Sequence, residues 1–153
     1  GTKVIQHPVS KDQTDLELAI RYACDHGADE ILILGGLGQR WDQTLANLLL
    51  PAAPYLSGKM IRLVDGLQEI AVLRSGERLT IHGQPGDTVS LIPLGSDSRE
   101  ITTSGLKYSL NQDALSFGST RGISNVLLDR EASIELGEGL LLCILIHANY
   151  EPT

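Results

Sequence analysis

Apolar positions follow two rhythms along this chain. Up to Asp65 they recur at helical spacing or in short unbroken runs. Thr2-Lys3-Val4-Ile5 reads as a short strand that His7-Pro8 ends. Leu16, Ala19, Ile20, Ala23 and Cys24 then return every three or four positions, the mark of one helix face. Thr14-x-x-Glu17 ahead of them fits a capping box, in which hydroxyl and carboxylate each take a backbone amide. Gly27 fits the position just past that helix. Ile31-Leu32-Ile33-Leu34 shows no alternation, which predicts a strand covered on both faces. Trp41, Leu45, Leu48 and Leu49 predict the inner face of a second helix, ended or kinked by Pro51 and Pro54. Met60-Ile61-Arg62-Leu63-Val64 predicts another strand, closed by Asp65-Gly66. Strands alternating with helices imply parallel βαβ units.

Beyond Gly66 helical spacing disappears. Short apolar segments recur between turn signals such as Ser75-Gly76-Glu77, Gln84-Pro85-Gly86-Asp87, Gly95-Ser96-Asp97 and Gly137-Glu138-Gly139. Leu79/Ile81, Val89/Leu91 and Ile134/Leu136 alternate with polar neighbours, the pattern of an antiparallel sandwich or barrel. Leu140–His147 is almost wholly apolar and is expected at the centre of a sheet. The fold class is therefore α/β followed by all-β: a partial parallel, Rossmann-like βαβ region over 1–66 and an antiparallel β-sandwich over 67–153. Two helices and three strands make a thin first region with open edges. Either a partner covers it or the chain begins partway into a domain, and the second is the expectation.

Composition narrows the chemistry. The 153 residues are 42% hydrophobic, enough for a packed core. Aromatics at 4% leave little for base stacking, and a net charge of −7 argues against a general nucleic-acid or anionic-membrane binder. Cys24 and Cys143 lie far apart in apolar runs and read as two buried thiols. Neither they nor the four histidines show metal spacing, so the histidines are expected to be structural. No signal peptide and no apolar run of about 18 residues is found, so a cytoplasmic protein is expected.

Two stretches in the first region could carry phosphate chemistry. Lys11-Asp12-Gln13-Thr14-Asp15 supplies two acids and a lysine, and magnesium typically takes one or two carboxylates plus substrate phosphates. The same residues also suit an ordinary solvated helix start, with Thr14 capping and Asp15 complementing the dipole. Gly35-Gly36-Leu37-Gly38-Gln39-Arg40-Trp41-Asp42 joins a strand to a helix. It matches neither a Walker A loop nor a GxGxxG turn. Its glycines, Gly36 and Gly38 among them, suit close backbone approach to a ligand. Arg40 could clamp phosphate oxygens, and Asp42 could hold a metal or accept a proton. In a parallel βαβ unit Asp15 and Asp42 converge on one side of the sheet. Ile101–Tyr108 and Gly118–Asn125 read, as patterns, as ordinary β-domain loops.

Five motifs in register nevertheless resemble thiamine pyrophosphokinases: Thr14-Asp15-Leu16-Glu17, Gly35–Gln43, Leu91-Ile92-Pro93-Leu94-Gly95, Thr102–Tyr108 and Ile123-Ser124-Asn125. The resemblance implies transfer of diphosphate from ATP to the thiamine hydroxyl, with AMP released and magnesium as the metal. It implies a homodimer with active sites at the interface. By motif position, Asp15, Asp42 and Arg40 would be catalytic, with Asp15 and Asp12 at the metal. Lys11, Asp12, Thr14, Gly36, Gly38 and Gln43 would serve ATP and its phosphates. Thr103, Ser104, Ser124 and Asn125 would serve thiamine. Two departures stand out. Gln39 occupies a position where the family commonly has glycine; a positive φ there would cost about 1 kcal/mol. Nothing matches the family's earlier Gly-Asp-x-Asp-Ser type acidic motif, so a truncated chain, inactive or weak alone, is expected. A non-catalytic thiamine- or nucleotide-binding module, or a diphosphokinase for another alcohol, are the rival readings.

Overall fold

The computed structural model describes Val4 and residues 12–148. The expected strand Thr2–Ile5, but for Val4, lies outside these residues, as do His7 and the candidate Lys11. Helix α1 (Asp15–Asp25) starts on Thr14, whose Oγ1 accepts from the Glu17 amide at 3.2 Å. Only that half of the capping box forms as expected, because the Glu17 carboxylate accepts from the Arg21 guanidinium, one turn on, at 2.9 Å. At the other end Gly27 adopts φ +87°, and the Gly27 and Ala28 amides return to the Cys24 and Ala23 carbonyls at 3.0 Å. This is the Schellman stop that the sequence predicts at Gly27.

Strand β1 (Glu30–Leu34), helix α2 (Trp41–Leu49) and strand β2 (Met60–Asp65) form a βαβ unit, with β1 and β2 parallel from Glu30↔Met60 to Leu34↔Val64. Two 3-10 turns, Leu50–Ala52 and Pro54–Leu56, follow α2 where the prolines predict its end. Eight further strands follow: β3 (Gln68–Arg74), β4 (Arg78–His82), β5 (Thr88–Pro93), β6 (Ser98–Ser104), β7 (Asp113–Leu115), β8 (Asn125–Val126), β9 (Glu131–Glu138) and β10 (Leu140–Ile146). They complete a mixed sheet, β1-β2-β3-β10-β5-β8, and an antiparallel sheet, β4-β9-β6-β7. Asp65-Gly66 is the turn between antiparallel β2 and β3, so one sheet runs through both halves of the sequence. Arg74 on β3 reinforces that continuity by donating to the Pro51, Ala52 and Ala53 carbonyls at 2.7–3.2 Å.

The mixed sheet is the middle of three layers. One core lies between the two sheets and includes Leu73, Val89, Leu91, Ile134, Leu141 and Cys143. The other lies under the helices and includes Ile20, Ile33, Leu56, Ile61, Leu63, Ile70 and Leu142. Strand β10 sends alternate residues into both, which is why its sequence is apolar without a break. Burial pushes the Cys143 thiol up to about 12, so it is an inert core residue. Cys24 is only half-buried.

Two expectations are corrected. β1 is not covered on both faces: Ile31 and Ile33 pack under the helices, while Leu32 and Leu34 are exposed. The core between the sheets takes no residue from β1 or β2, and on β1 that side is left open at Leu32 and Leu34. The stripe on α2 is also turned outward. Trp41 is 85% and Leu45 57% exposed, Leu49 is exposed too, and only Leu48 packs inward. Polar bonds fix the helix rotation, since Thr44 and Asn47 face the glycine turn. No helix among the described residues is long and apolar enough to cross a membrane.

Candidate functional site

The glycine turn leaves the sheet where β1 ends. The Gly35 amide donates to the Val64 carbonyl at 3.0 Å, extending the ladder one residue, and Gly35 turns with φ +65°. Gly36 is tight: an added Cβ would sit 3.2 Å from Ile33 and 3.3 Å from Leu63 side-chain carbons. Gly38, by contrast, faces open space. Gln39 does not take a positive φ, so the glycine usual in the family is not required by this backbone. Arg40 is the residue before α2, and Asp42 lies in its first turn. Their side chains are paired: Arg40 Nε donates to Asp42 Oδ1 at 3.2 Å and Nη2 to Oδ2 at 2.6 Å. The pair holds the Asp42 carboxyl below the usual carboxylate range and raises the Arg40 guanidinium. Both side chains are about two-thirds exposed, so solvent screens most of their mutual attraction. The guanidinium has five N–H donors and these two bonds use only two, so Arg40 can meet a phosphate while it stays paired with Asp42. Gln43 is exposed one residue further on.

Asp12, Thr14 and Asp15 are exposed at the start of α1. α1 ends at Asp25, β1 begins at Glu30, and α1 packs through Leu16, Ile20 and Cys24 on the sheet. The helix thus runs back along the sheet and carries Asp15 toward the end where β1 stops. No group of three or more His, Cys, Asp or Glu that could hold a metal occurs among the described residues. The donors offered are the separate carboxylates of Asp12 and Asp15, a set that suits magnesium shared with substrate phosphates and no all-protein cage.

The other candidate residues gather around the β5–β8 edge. A cavity of about 280 Å³ is lined by Leu91, Tyr108, Leu110, Arg121, Ile123 and Asn125, among others. Asn125 builds its wall. Its Oδ1 accepts from the Tyr108 amide at 2.9 Å, and its Nδ2 donates to the Tyr108 carbonyl at 2.7 Å. Ser124 adopts φ +61°, and its amide donates to the buried Ser90 hydroxyl at 3.1 Å. A non-glycine residue held there costs of order 1 kcal/mol, a strain typical of ligand sites. Thr103 and Ser104 stand behind the cavity and do not line it. Thr103 is buried, its Oγ1 accepting from the Leu110 amide at 2.9 Å, and Ser104 shares a hydrogen bond of 2.8 Å with Ser133. They brace the loop whose Tyr108 forms the rim. Arg121 is bound to Asp113, which raises the arginine and lowers the carboxyl.

Sequence reasoning passed over Thr44, Asn47 and Asp65. Thr44 Oγ1 accepts from the Gly38 amide and donates to the Gly38 carbonyl, both at 3.0 Å. Asn47 donates to the Gly36 carbonyl at 2.7 Å, and Asp65 accepts from the Leu37 amide at 3.0 Å. The available signal was two polar residues three apart on the helix after the turn, and an acid ending the next parallel strand. Tyr108 and Arg121 belong to the stretches Ile101–Tyr108 and Gly118–Asn125, and both line the cavity.

Comparison with known proteins bears on both halves of the chain. The profile described as "Thiamin pyrophosphokinase, catalytic domain" matches residues 1–63, and "Thiamin pyrophosphokinase, vitamin B1 binding domain" matches residues 77–141. Thiamine pyrophosphokinase of Bacillus subtilis (strain 168) is 34% identical over 138 residues, covering 90% of this chain and 64% of the relative. Thiamine pyrophosphokinase 1 of Arabidopsis thaliana is 32% identical, covering 95% of this chain and 57% of the relative. The crystal structure of the Bacillus subtilis enzyme superposes with a TM-score of 0.83 at 33% identity, over 91% of this chain and 65% of that one. This chain thus spans less than two thirds of the length of these relatives.

Proposed function

We propose, from the premise that this chain belongs to the thiamin pyrophosphokinase family, that it forms part of an enzyme transferring diphosphate from ATP to the thiamine hydroxyl. The exposed Arg40–Asp42 pair at the carboxyl ends of two parallel strands carries the reading. Ligands of open α/β sheets bind there, and a cation beside a carboxylate serves phosphoryl transfer. On this reading Arg40 binds the transferred phosphates. Asp42 orients the attacking hydroxyl. Gly36, Gly38 and Gln43 shape the surface around them. Asp12 and Asp15, with Thr14 fixing the helix start, would hold magnesium, which when bound neutralises phosphate charge. Lys11 joins this group by its position in the sequence. The cavity by Asn125 and Ser124 takes thiamine. The Tyr108 ring, which already meets the Lys107 ammonium at 5.5 Å, would turn to a cationic ring, and Thr103 and Ser104 hold the loop that presents it. The test is thiamine-dependent release of AMP from magnesium-ATP, run on the intact protein and on this chain. Turnover by the intact protein is expected, with this chain weak or silent. Failure to release AMP despite bound thiamine would reject the reading.

The outward stripe Trp41, Leu45 and Leu49 supports the homodimer that the resemblance implies, since contiguous exposed apolar residues mark association surfaces. Substituting Leu45→Glu is expected to halve the mass measured by light scattering at micromolar concentration. An unchanged dimer mass would place the interface elsewhere. A cytoplasmic setting accords with an ATP-using reaction.

A further inference from the structure

The three side chains that hold the glycine turn act on three successive residues. Asn47 takes the Gly36 carbonyl, Asp65 the Leu37 amide, and Thr44 both backbone groups of Gly38. They come from two elements, α2 and the end of β2, so the turn is fastened between helix and sheet. The helix start has no side-chain cap of its own. The consequence is chemical as well as mechanical. In a glycine-rich phosphate loop the turn amides point at the anion. Here the amides of Leu37 and Gly38 are already spent on protein oxygens. We propose that Thr44, Asn47 and Asp65 are positioning residues that set Arg40 and Asp42, and that the nucleotide phosphates are met by Arg40 and the first turn of α2, not by the glycine-turn amides. This rests on the phosphoryl-transfer reading for its ligand, and on the geometry alone for the strap.

Two measurements separate those dependences. The first is amide exchange and chemical shift by NMR on this chain, with and without magnesium-ATP. Leu37 and Gly38 are expected to be protected, with Thr44→Val releasing Gly38 and Asp65→Ala releasing Leu37 by roughly tenfold or more. Thr44→Ser and Asp65→Asn, which keep an acceptor, are expected to preserve protection. Added magnesium-ATP should shift the amides from Arg40 to Gln43 more than those of Leu37 and Gly38. Unprotected turn amides in the parent, or nucleotide shifts greatest at Leu37 and Gly38, would overturn the proposal. The second is steady-state kinetics of the intact protein. Thr44→Val should raise the KM for ATP about tenfold while the KM for thiamine holds, and Thr44→Ser should restore it. A fall in Tm with the ATP KM unchanged would make the strap merely structural. If the parent shows no turnover, the activity reading fails while the exchange data still judge the strap.

Discussion

Replacing Asp42 with Asn in the intact protein is expected to lower thiamine-dependent AMP release by about a thousandfold, within the range usual for a positioned carboxylate. Arg40 holds the Asp42 carboxyl below its ordinary range, so it is a weak proton acceptor at neutral pH. Its value lies in direction: it orients the hydroxyl and fixes Arg40. A loose phosphoryl transition state asks for positioning and charge neutralisation more than for a strong base. Two further outcomes follow. The pH profile should carry no limb from Asp42 near neutrality, because the carboxylate stays ionised throughout that range. Arg40→Lys should recover only part of the loss seen in Arg40→Ala, since an ammonium cannot reproduce the two-point contact of Arg40 with Asp42. Unchanged turnover in Asp42→Asn would remove this carboxylate from the mechanism.

How far the sequence disclosed this site follows from the physics of each signal. Schellman and capping residues act within one turn of chain, so Thr14 and Gly27 were legible as helix ends. Strand β10 was legible as central because burial on both faces demands unbroken apolarity. Periodicity misplaced α2 because it reports only that a helix has an apolar stripe. The bonds of Thr44 and Asn47 to the turn decide where that stripe points, and they outweigh it here. Ile31–Leu34 failed for a related reason: an apolar run shows that both faces are fit for burial, and among the described residues only one is buried.

The candidate residues divide in the same way. Arg40 and Asp42 were legible because their chemistry and their place after a strand coincide. Their pairing with each other was not, since residues two apart at a helix start meet only through the backbone path between them. Around the cavity, Asn125 and Tyr108 lie 17 residues apart and are joined by two hydrogen bonds that no spacing rule predicts. Gln39 looked costly only while the turn's φ was unknown, and the structure places it outside the glycine-only region.

Asp87→Ala is expected to be the most destabilising of the polar substitutions, by about 3–5 kcal/mol, a large share of the 5–15 typical for a domain. Asp87 is 0% exposed and accepts from the Gln84 and Ala148 amides at 2.9 Å and from His147 Nδ1 at 2.9 Å. His147 Nε2 meets Glu69 Oε1 at 3.0 Å, and Arg62 stands 3.7 Å from the other Glu69 oxygen. With carboxylates on both ring nitrogens, His147 is held as imidazolium and ties the end of β10 to β3 and to the turn before β5. Burial pushes Asp87 up, but the two amides and His147 outweigh it and leave its pKa lowered. Glu69 first, then Asp87, raise that of His147 against the pull of burial. The signs fix the pH window. The stability from Asp87 is present above its unfolded value of about 3.9 and is lost as pH falls through the lowered folded value. That from His147 is complete below about 6.5 and is lost as pH rises through the raised folded value. The clamp is therefore whole between roughly pH 4 and 6.5. Thermal melts should show a Tm plateau there that declines on the alkaline side, with His147→Gln removing that decline. Asp87→Ala should melt about 10 °C lower across the plateau. Asp87→Asn should fall in between, because its amide nitrogen faces a backbone donor. An alkaline decline that persists undiminished in His147→Gln would mean that another group sets the pH dependence.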